Sequence, residues 1–203
     1  MPTPQLQLDA ASTAVVFIEC QNGVIGADGA LPELAAAAAP RVPAMAELAR
    51  GARAAGALVV HLTYAPALNN RSSNRAPVMF GHVLPLMQDW NLDHPATQVV
   101  DEIGVAESDL VMPRHSGLSP TYRTELFPIL RNAGCSTVVL AGVSLNIAVP
   151  VVAAQAVDEG FPTVVARDAV AGTPVEHAQS MLRHTVAHIA RLATVAEILQ
   201  ALG

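Results

Sequence analysis

Continuous apolar runs rich in β-branched residues recur along the chain, and each is separated from the next by a longer segment. Strands with one solvated face alternate apolar and polar residues, so continuous runs indicate strands buried on both faces. The five runs are TAVVFIE (13–19), ALVVHLTY (57–64), SDLVMP (108–113), STVVLAG (136–142) and PTVVARDA (162–169). Because helical spacing dominates between them, the pattern predicts an α/β protein: a three-layer αβα, Rossmann-like fold around a mostly parallel sheet of about six strands.

The segments between these runs carry apolar residues at helical spacing, several of them closed by glycine. Helices are predicted over 33–55, 124–134 and 147–160, with two more within 176–203 on either side of the short ARLAT (190–194). Pro128 and Pro150 are expected in the first turns of their helices, where a missing N–H is tolerated; otherwise Pro128 would kink its helix. Residues 64–107 are the exception, because they are weakly periodic. Such an insertion covers a site or builds a subunit contact.

Length and charge limit the classes of function. A chain of 203 residues can form one domain, residues 1–203, with a full core. The net charge is −6 and no basic run occurs, which argues against nucleic acid or an anionic membrane as a partner. The N-terminal MPTPQLQLDA lacks the features of a signal peptide, and no apolar run reaches the roughly 18 residues of a membrane span. We therefore expect a cytoplasmic protein that binds a small molecule and forms a homodimer or larger homo-oligomer.

Ligands in such sheets bind at the carboxyl ends of the strands. The residues expected at that edge are polar or lie in turns: 19–22, 61–64, 112–116, 142–148 and Asp168. The turn 142–149 lacks both a glycine-rich phosphate pattern and a lysine, so nucleotide binding is not indicated. No cofactor is expected.

Four segments, in order, resemble the isochorismatase-like hydrolases, also called the cysteine hydrolase superfamily. VVFIECQNG (15–23) resembles the family's strand followed by Asp-x-Gln-Asn-Asp, and LVMPRHSG (110–117) resembles Val-Val-Lys-x-Arg-Tyr-Ser. TVVLAGVSLNIAV (137–149) resembles Leu-Val-Leu-x-Gly-Val-x-Thr-Asn-x-Cys-Val, and VVARDAVAG (164–172) resembles a Val-x-Asp-Ala turn. The resemblance covers most of the chain and implies the same fold.

The chain departs from this family at the catalytic positions. The amidase members combine Asp, Lys and Cys, and the matching residues here are Glu19, Met112 and Ala148. All eleven basic residues are arginine, so no shift of the alignment supplies a lysine. Cys20 and Cys135 are expected to be small core residues, because buried thiols are usually inert. The resemblance therefore does not imply a covalent thioester route.

Two readings of Glu19 remain open. Isochorismatases of this fold lack the cysteine and cleave a vinyl ether with a carboxylic acid as proton donor, and the resemblance implies that Glu19 acts likewise. Burial at a strand end and the apolar Met112 would favour the protonated carboxyl. Alternatively, Glu19 pairs with an arginine such as Arg114, or caps a loop, and the chain is an inactive family member that binds a small molecule or has a structural role.

The resemblance also implies a set of residues around the pocket. Glu19 is the catalytic candidate, and the substrate-binding candidates are Gln21, Tyr64, Arg75, Met112, His115, Val143, Ser144, Ile147 and Ala148. Backbone N–H groups of the turn 142–149 can receive an anion at the start of the following helix. No metal is expected, because His61 lacks the neighbouring ligands of the zinc-binding members and the pair His184/His188 lacks a third ligand.

Overall fold

Six parallel strands form one sheet in the order β3-β2-β1-β4-β5-β6. The computed structural model describes residues 5–203, so the first four residues of the N-terminal stretch considered above lie outside it. The strands are β1 (Thr13–Ile18), β2 (Leu58–Tyr64), β3 (Leu110–Arg114), β4 (Thr137–Val143), β5 (Thr163–Ala171) and β6 (Arg191–Ala193). The predicted α/β class and the parallel sheet are confirmed.

Helices cover both faces of this sheet. They are α1 (Asn22–Ile25), α2 (Pro32–Ala38), α3 (Val42–Ala55), α4 (Phe80–Val83), α5 (Leu126–Asn132), α6 (Ala148–Asp158), α7 (Val175–Met181), α8 (Ala187–Ile189) and α9 (Val195–Leu202). Short 3-10 turns lie at Ala10–Ser12, Ala39–Arg41, Leu84–Met87 and Pro95–Thr97, and a π-helical turn lies at Leu182–Val186.

The sheet is buried on both sides because successive side chains of a strand point to opposite faces. In β1, Val15 and Phe17 pack in one apolar cluster with α2, α3 and α9, whereas Val16 and Ile18 pack in a second cluster with α5 and α6. Every residue of β1 is buried. The continuous apolar run that predicted this strand therefore fills two cores at once.

Proline and glycine set several boundaries. The helix predicted over 33–55 changes to a 3-10 turn at Ala39–Arg41, because Pro40 cannot donate an α-helical hydrogen bond. Pro128 and Pro150 lie in the first turns of α5 and α6, as predicted. Gly142, with φ of 106°, is required by close packing, since a Cβ at this position would lie 2.2 Å from the carbonyl oxygen of Ile18.

The strand order reverses direction between β1 and β4, which places a crevice at their carboxyl ends. Residues 65–107, here called the covering segment, contribute α4 and two 3-10 turns beside this crevice. The end of the segment is tied down beside β1, where the Val100 N–H donates to Cys20 O and the Asn22 N–H donates to Gln98 O. Among residues 5–203, no helix combines the length and the apolar character needed to cross a bilayer.

Candidate functional site

Glu19 follows β1 directly and lies at the crevice between β1 and β4. Its backbone is left-handed, with φ of 53°, and its N–H donates to Leu62 O at 2.8 Å. A left-handed conformation is uncommon for a residue with a Cβ, and strained residues of this kind cluster at functional sites. Its carboxylate is 18% exposed and accepts a hydrogen bond from Arg114 Nη2 at 2.5 Å.

Arg114, the last residue of β3, supplies the cation beside Glu19. Its side chain is only 8% exposed, and its Nε donates to Gly117 O at 3.3 Å. The guanidinium carbon lies 4.8 Å from the centre of the Tyr64 ring, a favourable cation–π distance. The remaining nitrogen, Nη1, is buried and has no hydrogen-bond partner in the part of the chain that the structure describes.

Tyr64 connects this ion pair to the covering segment. It ends β2 opposite Arg114, and its hydroxyl lies 2.5 Å from Ser73 Oγ. Burial raises the pKa of Tyr64, although the hydrogen bond with Ser73 and the charge of Arg114 oppose the shift. The phenol is therefore neutral at ordinary pH and acts as a platform for the guanidinium.

The turn after β4 forms the opposite wall. The Asn146 side chain accepts from the Thr173 N–H at 3.0 Å and donates to the Thr173 carbonyl, which fixes the turn. Helix α6 then begins at Ala148. Val149 donates to Ser144 O, and Ala148 stands at the helix start, where backbone N–H groups lack an intrahelical acceptor. A free N–H at a helix start favours an acceptor oxygen.

These elements enclose a cavity of about 70 Å³. Its polar lining consists of Glu19, Tyr64, Arg114 and Ser144. The rest of the lining is apolar: Val24, Leu31, Leu34, Met79, Phe80, Val83, Met87, Leu118, Ile147 and Ala148. Since a single water needs about 10–15 Å³ of such space, only a few heavy atoms fit unless the covering segment moves.

The structure brings together Glu19, Tyr64, Ser144, Ile147 and Ala148 from the residues proposed at the pocket from the sequence. The other candidates lie outside the lining of this cavity.

Gln21 is fully buried and has a positioning role. Its side-chain amide donates to Tyr64 O at 2.9 Å and to Ala96 O at 3.2 Å, and its oxygen accepts from the Tyr64 N–H. Val143 is buried at the end of β4. Both residues are buried next to residues that line the cavity, but neither is part of the lining.

Met112, His115 and Arg75 lie farther out. Met112 packs on the second apolar cluster and borders an open surface groove along β3. His115 is exposed, and its Nδ1 lies 2.6 Å from Ala65 O. Arg75 is exposed beside a separate shallow pocket of the covering segment.

Arg114 is the residue of the site whose role the sequence left open. The family pattern pairs the acid with the residue at Met112, whereas in the structure the cation comes from Arg114, two positions later. The Arg114 side chain extends from the end of β3 across the Tyr64 ring to Glu19. The available signal was the lack of lysine, which leaves arginine as the only strong cation for a part-buried acid.

Neither cysteine is placed to attack a ligand in the cavity. Cys20 is 2% exposed, with its sulfur against Ile18 O and Met45 Sδ. Burial and the adjacent Glu19 charge raise the pKa of the Cys20 thiol. Cys135 lies in the second apolar cluster, and burial raises its pKa also.

His61 belongs to a buried polar cluster away from the cavity. Its Nε2 lies 3.1 Å from Asp109 Oδ2, and Arg53 donates to both carboxylate oxygens of Asp109. Within residues 5–203, no three His, Cys, Asp or Glu side chains are grouped so that they would hold a metal ion.

Comparison with known proteins identifies relatives of this chain. Residues 13–197 match the isochorismatase domain. An uncharacterized isochorismatase family protein of Escherichia coli O157:H7, YecD, is 34% identical over 204 residues, covering 97% of this chain and 100% of that protein.

Solved structures share the fold at lower identity. A cysteine hydrolase from Pseudomonas syringae pv. phaseolicola 1448A superposes with a TM-score of 0.84 at 18% identity, over 100% of this chain and 98% of the other. An isochorismatase family protein from Burkholderia thailandensis gives 0.78 at 23% identity, over 97% of each. By domain match, sequence identity and fold, this chain belongs to the isochorismatase family.

Proposed function

We propose that this chain is a hydrolase of a small organic molecule that works without a covalent intermediate and uses Glu19 as its proton-transfer group. One observation carries the proposal. A carboxylate held in a left-handed backbone conformation lines a small, partly open cavity together with Ala148, the residue that matches the family's cysteine in the sequence pattern. Because no cysteine among residues 5–203 lines this cavity, the carboxylate is better placed to activate water than to activate a thiol of the protein.

The Arg114 ion pair sets the order of the proton transfers. In the free protein, Arg114 Nη2 donates to Glu19 Oε1 at 2.5 Å, so the carboxyl group is already engaged as an acceptor. Glu19 therefore takes a proton from water as the water oxygen bonds to the substrate carbon. It then acts as the acid, delivering that proton to the leaving group as the scissile bond breaks.

Acid catalysis on a vinyl ether, expected from the resemblance, requires Glu19 to carry its proton before water adds. In the structure, the Glu19 carboxyl accepts a hydrogen bond from Arg114, an arrangement that suits a proton acceptor better than the proton donor of this route. The start of α6 at Ala148 lines the opposite wall, where a helix-start N–H would stabilise an oxygen that gains negative charge.

A binding protein without turnover is the second candidate function. The predominantly apolar lining and the small volume support it. In contrast, Met112 lies outside the lining and does not fill the cavity. Arginine and glutamate inside the cavity favour the hydrolase.

The test compares wild type with Glu19→Gln on a panel of small vinyl ethers, amides and esters. Glu159→Gln is the matched control, because Glu159 forms an exposed ion pair with Arg131. We expect Glu19→Gln to abolish turnover, since an amide cannot transfer the proton, while Glu159→Gln retains it. Binding of a neutral substrate should stay within about tenfold in Glu19→Gln. Equal turnover by wild type and Glu19→Gln would exclude Glu19 as the proton-transfer group, and ligand binding without turnover would favour the binding protein.

A further inference from the structure

Arg114 has more donor capacity than its protein partners use. Nη2 serves Glu19 and Nε serves Gly117 O, while Nη1 is buried without a partner among the described residues. A buried N–H of a charged group left unpaired is costly, and such groups are usually paired. Arg114 lines both the cavity and the surface groove along β3, and Glu19 and Tyr64 hold its guanidinium on the cavity side. A molecule in the cavity with an acceptor oxygen would therefore complete its hydrogen bonding.

The charge balance of the cavity restricts what that molecule can be. Glu19 and Arg114 are the two charged side chains in its lining, and together they are neutral. An anionic ligand would bring an uncompensated charge into an apolar enclosure and would compete with Glu19 for the same guanidinium. An uncharged acceptor would use Nη1 and leave the ion pair intact.

We propose that Arg114 Nη1 is the ligand-recognition group of this site and that it selects an uncharged, mostly apolar molecule with an acceptor oxygen over the corresponding anion. The inference rests on the proposed function only in placing the ligand in this cavity. It separates neutral carbonyl or ether compounds, which the site accepts, from carboxylates, which it rejects. Glu19 thus serves a second purpose, since its charge excludes anions.

The experiment uses two probes of nearly equal shape, 2-methylpropanamide and 2-methylpropanoate, titrated into isotopically labelled protein and followed by NMR at neutral pH. Wild type should bind the amide at least about tenfold more tightly than the carboxylate, a margin of about 1.4 kcal/mol. Glu19→Gln should reverse this preference, because Arg114 is then free to pair with the carboxylate. Glu159→Gln should behave as wild type.

A second variant keeps the test informative if Glu19→Gln folds poorly. Arg114→Lys retains a cation near Glu19 but loses the planar second nitrogen. It should weaken amide binding about tenfold while its spectrum shows the wild-type fold. Equal or tighter binding of the carboxylate by wild type, an unchanged preference in Glu19→Gln, or no binding of either probe would overturn the inference.

Failure of this inference and failure of the proposed function give different results. If wild type prefers the amide but hydrolyses none of the substrates, ligand selection by Arg114 is supported and the proposed hydrolase function is contradicted. If hydrolysis depends on Glu19 but the protein shows no preference for the neutral probe, the hydrolase function is supported and ligand recognition by Arg114 Nη1 is contradicted.

Discussion

Glu19 and Arg114 each depend on the other, because both are largely withdrawn from water. Arg114→Met should lower the free energy of unfolding by about 2 kcal/mol, since it leaves a part-buried carboxylate without its cation. The double variant Glu19→Gln/Arg114→Met should recover part of this loss. Urea denaturation of wild type, both single variants and the double variant measures the coupling. If the effects of the two single variants add up to the effect of the double variant, the pair is not coupled.

Thiol reactivity gives an independent check on the residues of the site. Cys20 is buried and its raised pKa keeps it protonated, so iodoacetamide should leave it unmodified in the folded protein. Any activity should survive the treatment. Mass spectrometry locates the label, with urea-unfolded protein as the positive control. Loss of activity in step with modification of Cys20 would contradict a route without a cysteine nucleophile.

At the scale of elements, Gly142 allows β4 to pass close to the end of β1. Gly142→Ala should strongly destabilise the protein, by about 3 kcal/mol or more, because its Cβ would meet backbone atoms of Ile18 at a positive φ. Gly81→Ala is the matched control: Gly81 lies in α4 with nothing within 4 Å of the added Cβ. This control should be neutral or slightly stabilising. Thermal unfolding of the two variants should differ widely, and similar melting temperatures would contradict the packing role.

The cluster of His61, Asp109 and Arg53 connects β2, α3 and the start of β3. Burial lowers the pKa of His61, against the opposing effect of Asp109. Burial alone would raise the pKa of Asp109, but hydrogen bonds from Arg53, the Ala106 N–H and His61 outweigh it and lower that pKa. In the fold, His61 is therefore neutral and donates through Nε2, while its buried Nδ1 has no partner within the described chain.

A pH dependence of stability follows from this cluster. The folded pKa of His61 lies below its ordinary value of 6.5, so its contribution to stability is complete above 6.5 and is lost as pH falls from there toward the folded pKa. Asp109 adds a further loss below its ordinary value of 3.8. Urea unfolding at a series of pH values should show stability decreasing below about 6.5, and His61→Gln should flatten that decrease. A slope unchanged in His61→Gln would assign it to other groups.

Pattern and local chemistry predicted most elements of the sheet but not its last strand. β6 is three residues, Arg191–Ala193, too short for a hydrophobic period to be visible, and the sequence suggested only a break between helices there. The site was predictable where chain order decides position, as for Glu19 after β1 and Ala148 at the start of α6. For Arg114, the sequence suggested a pairing with Glu19 as one of two readings, and the ion pair confirms it. The reach of the side chain across Tyr64 was not predictable, because it depends on three-dimensional packing rather than on alignment position.

At the scale of the whole molecule, access to the cavity depends on the covering segment. Residues 95–100 are held against 20–22 by backbone hydrogen bonds, whereas 65–94 are anchored to the rest of the protein more sparsely, through contacts such as Tyr64–Ser73 and Ser72–His115. Amides in 65–94 should therefore exchange hydrogen faster than those in 95–100. Adding 2-methylpropanamide should slow exchange in 79–87, where Met79, Phe80 and Met87 line the cavity. Hydrogen exchange with mass spectrometry measures both, and uniform protection of 65–107 without ligand would contradict this view of access.

Self-association, expected from the sequence, stays a prediction that sedimentation of the purified chain would test.

The use of arginine rather than lysine beside Glu19 also affects how any activity responds to pH. A carboxylate and an ammonium in contact can both titrate, so their apparent ionisations belong to the pair and the rate depends on both. A guanidinium does not lose its proton in a protein. This pair therefore contributes one ionisation to a rate profile instead of two. The alkaline limb of that profile, if present, must arise from the substrate or from a group outside the pair.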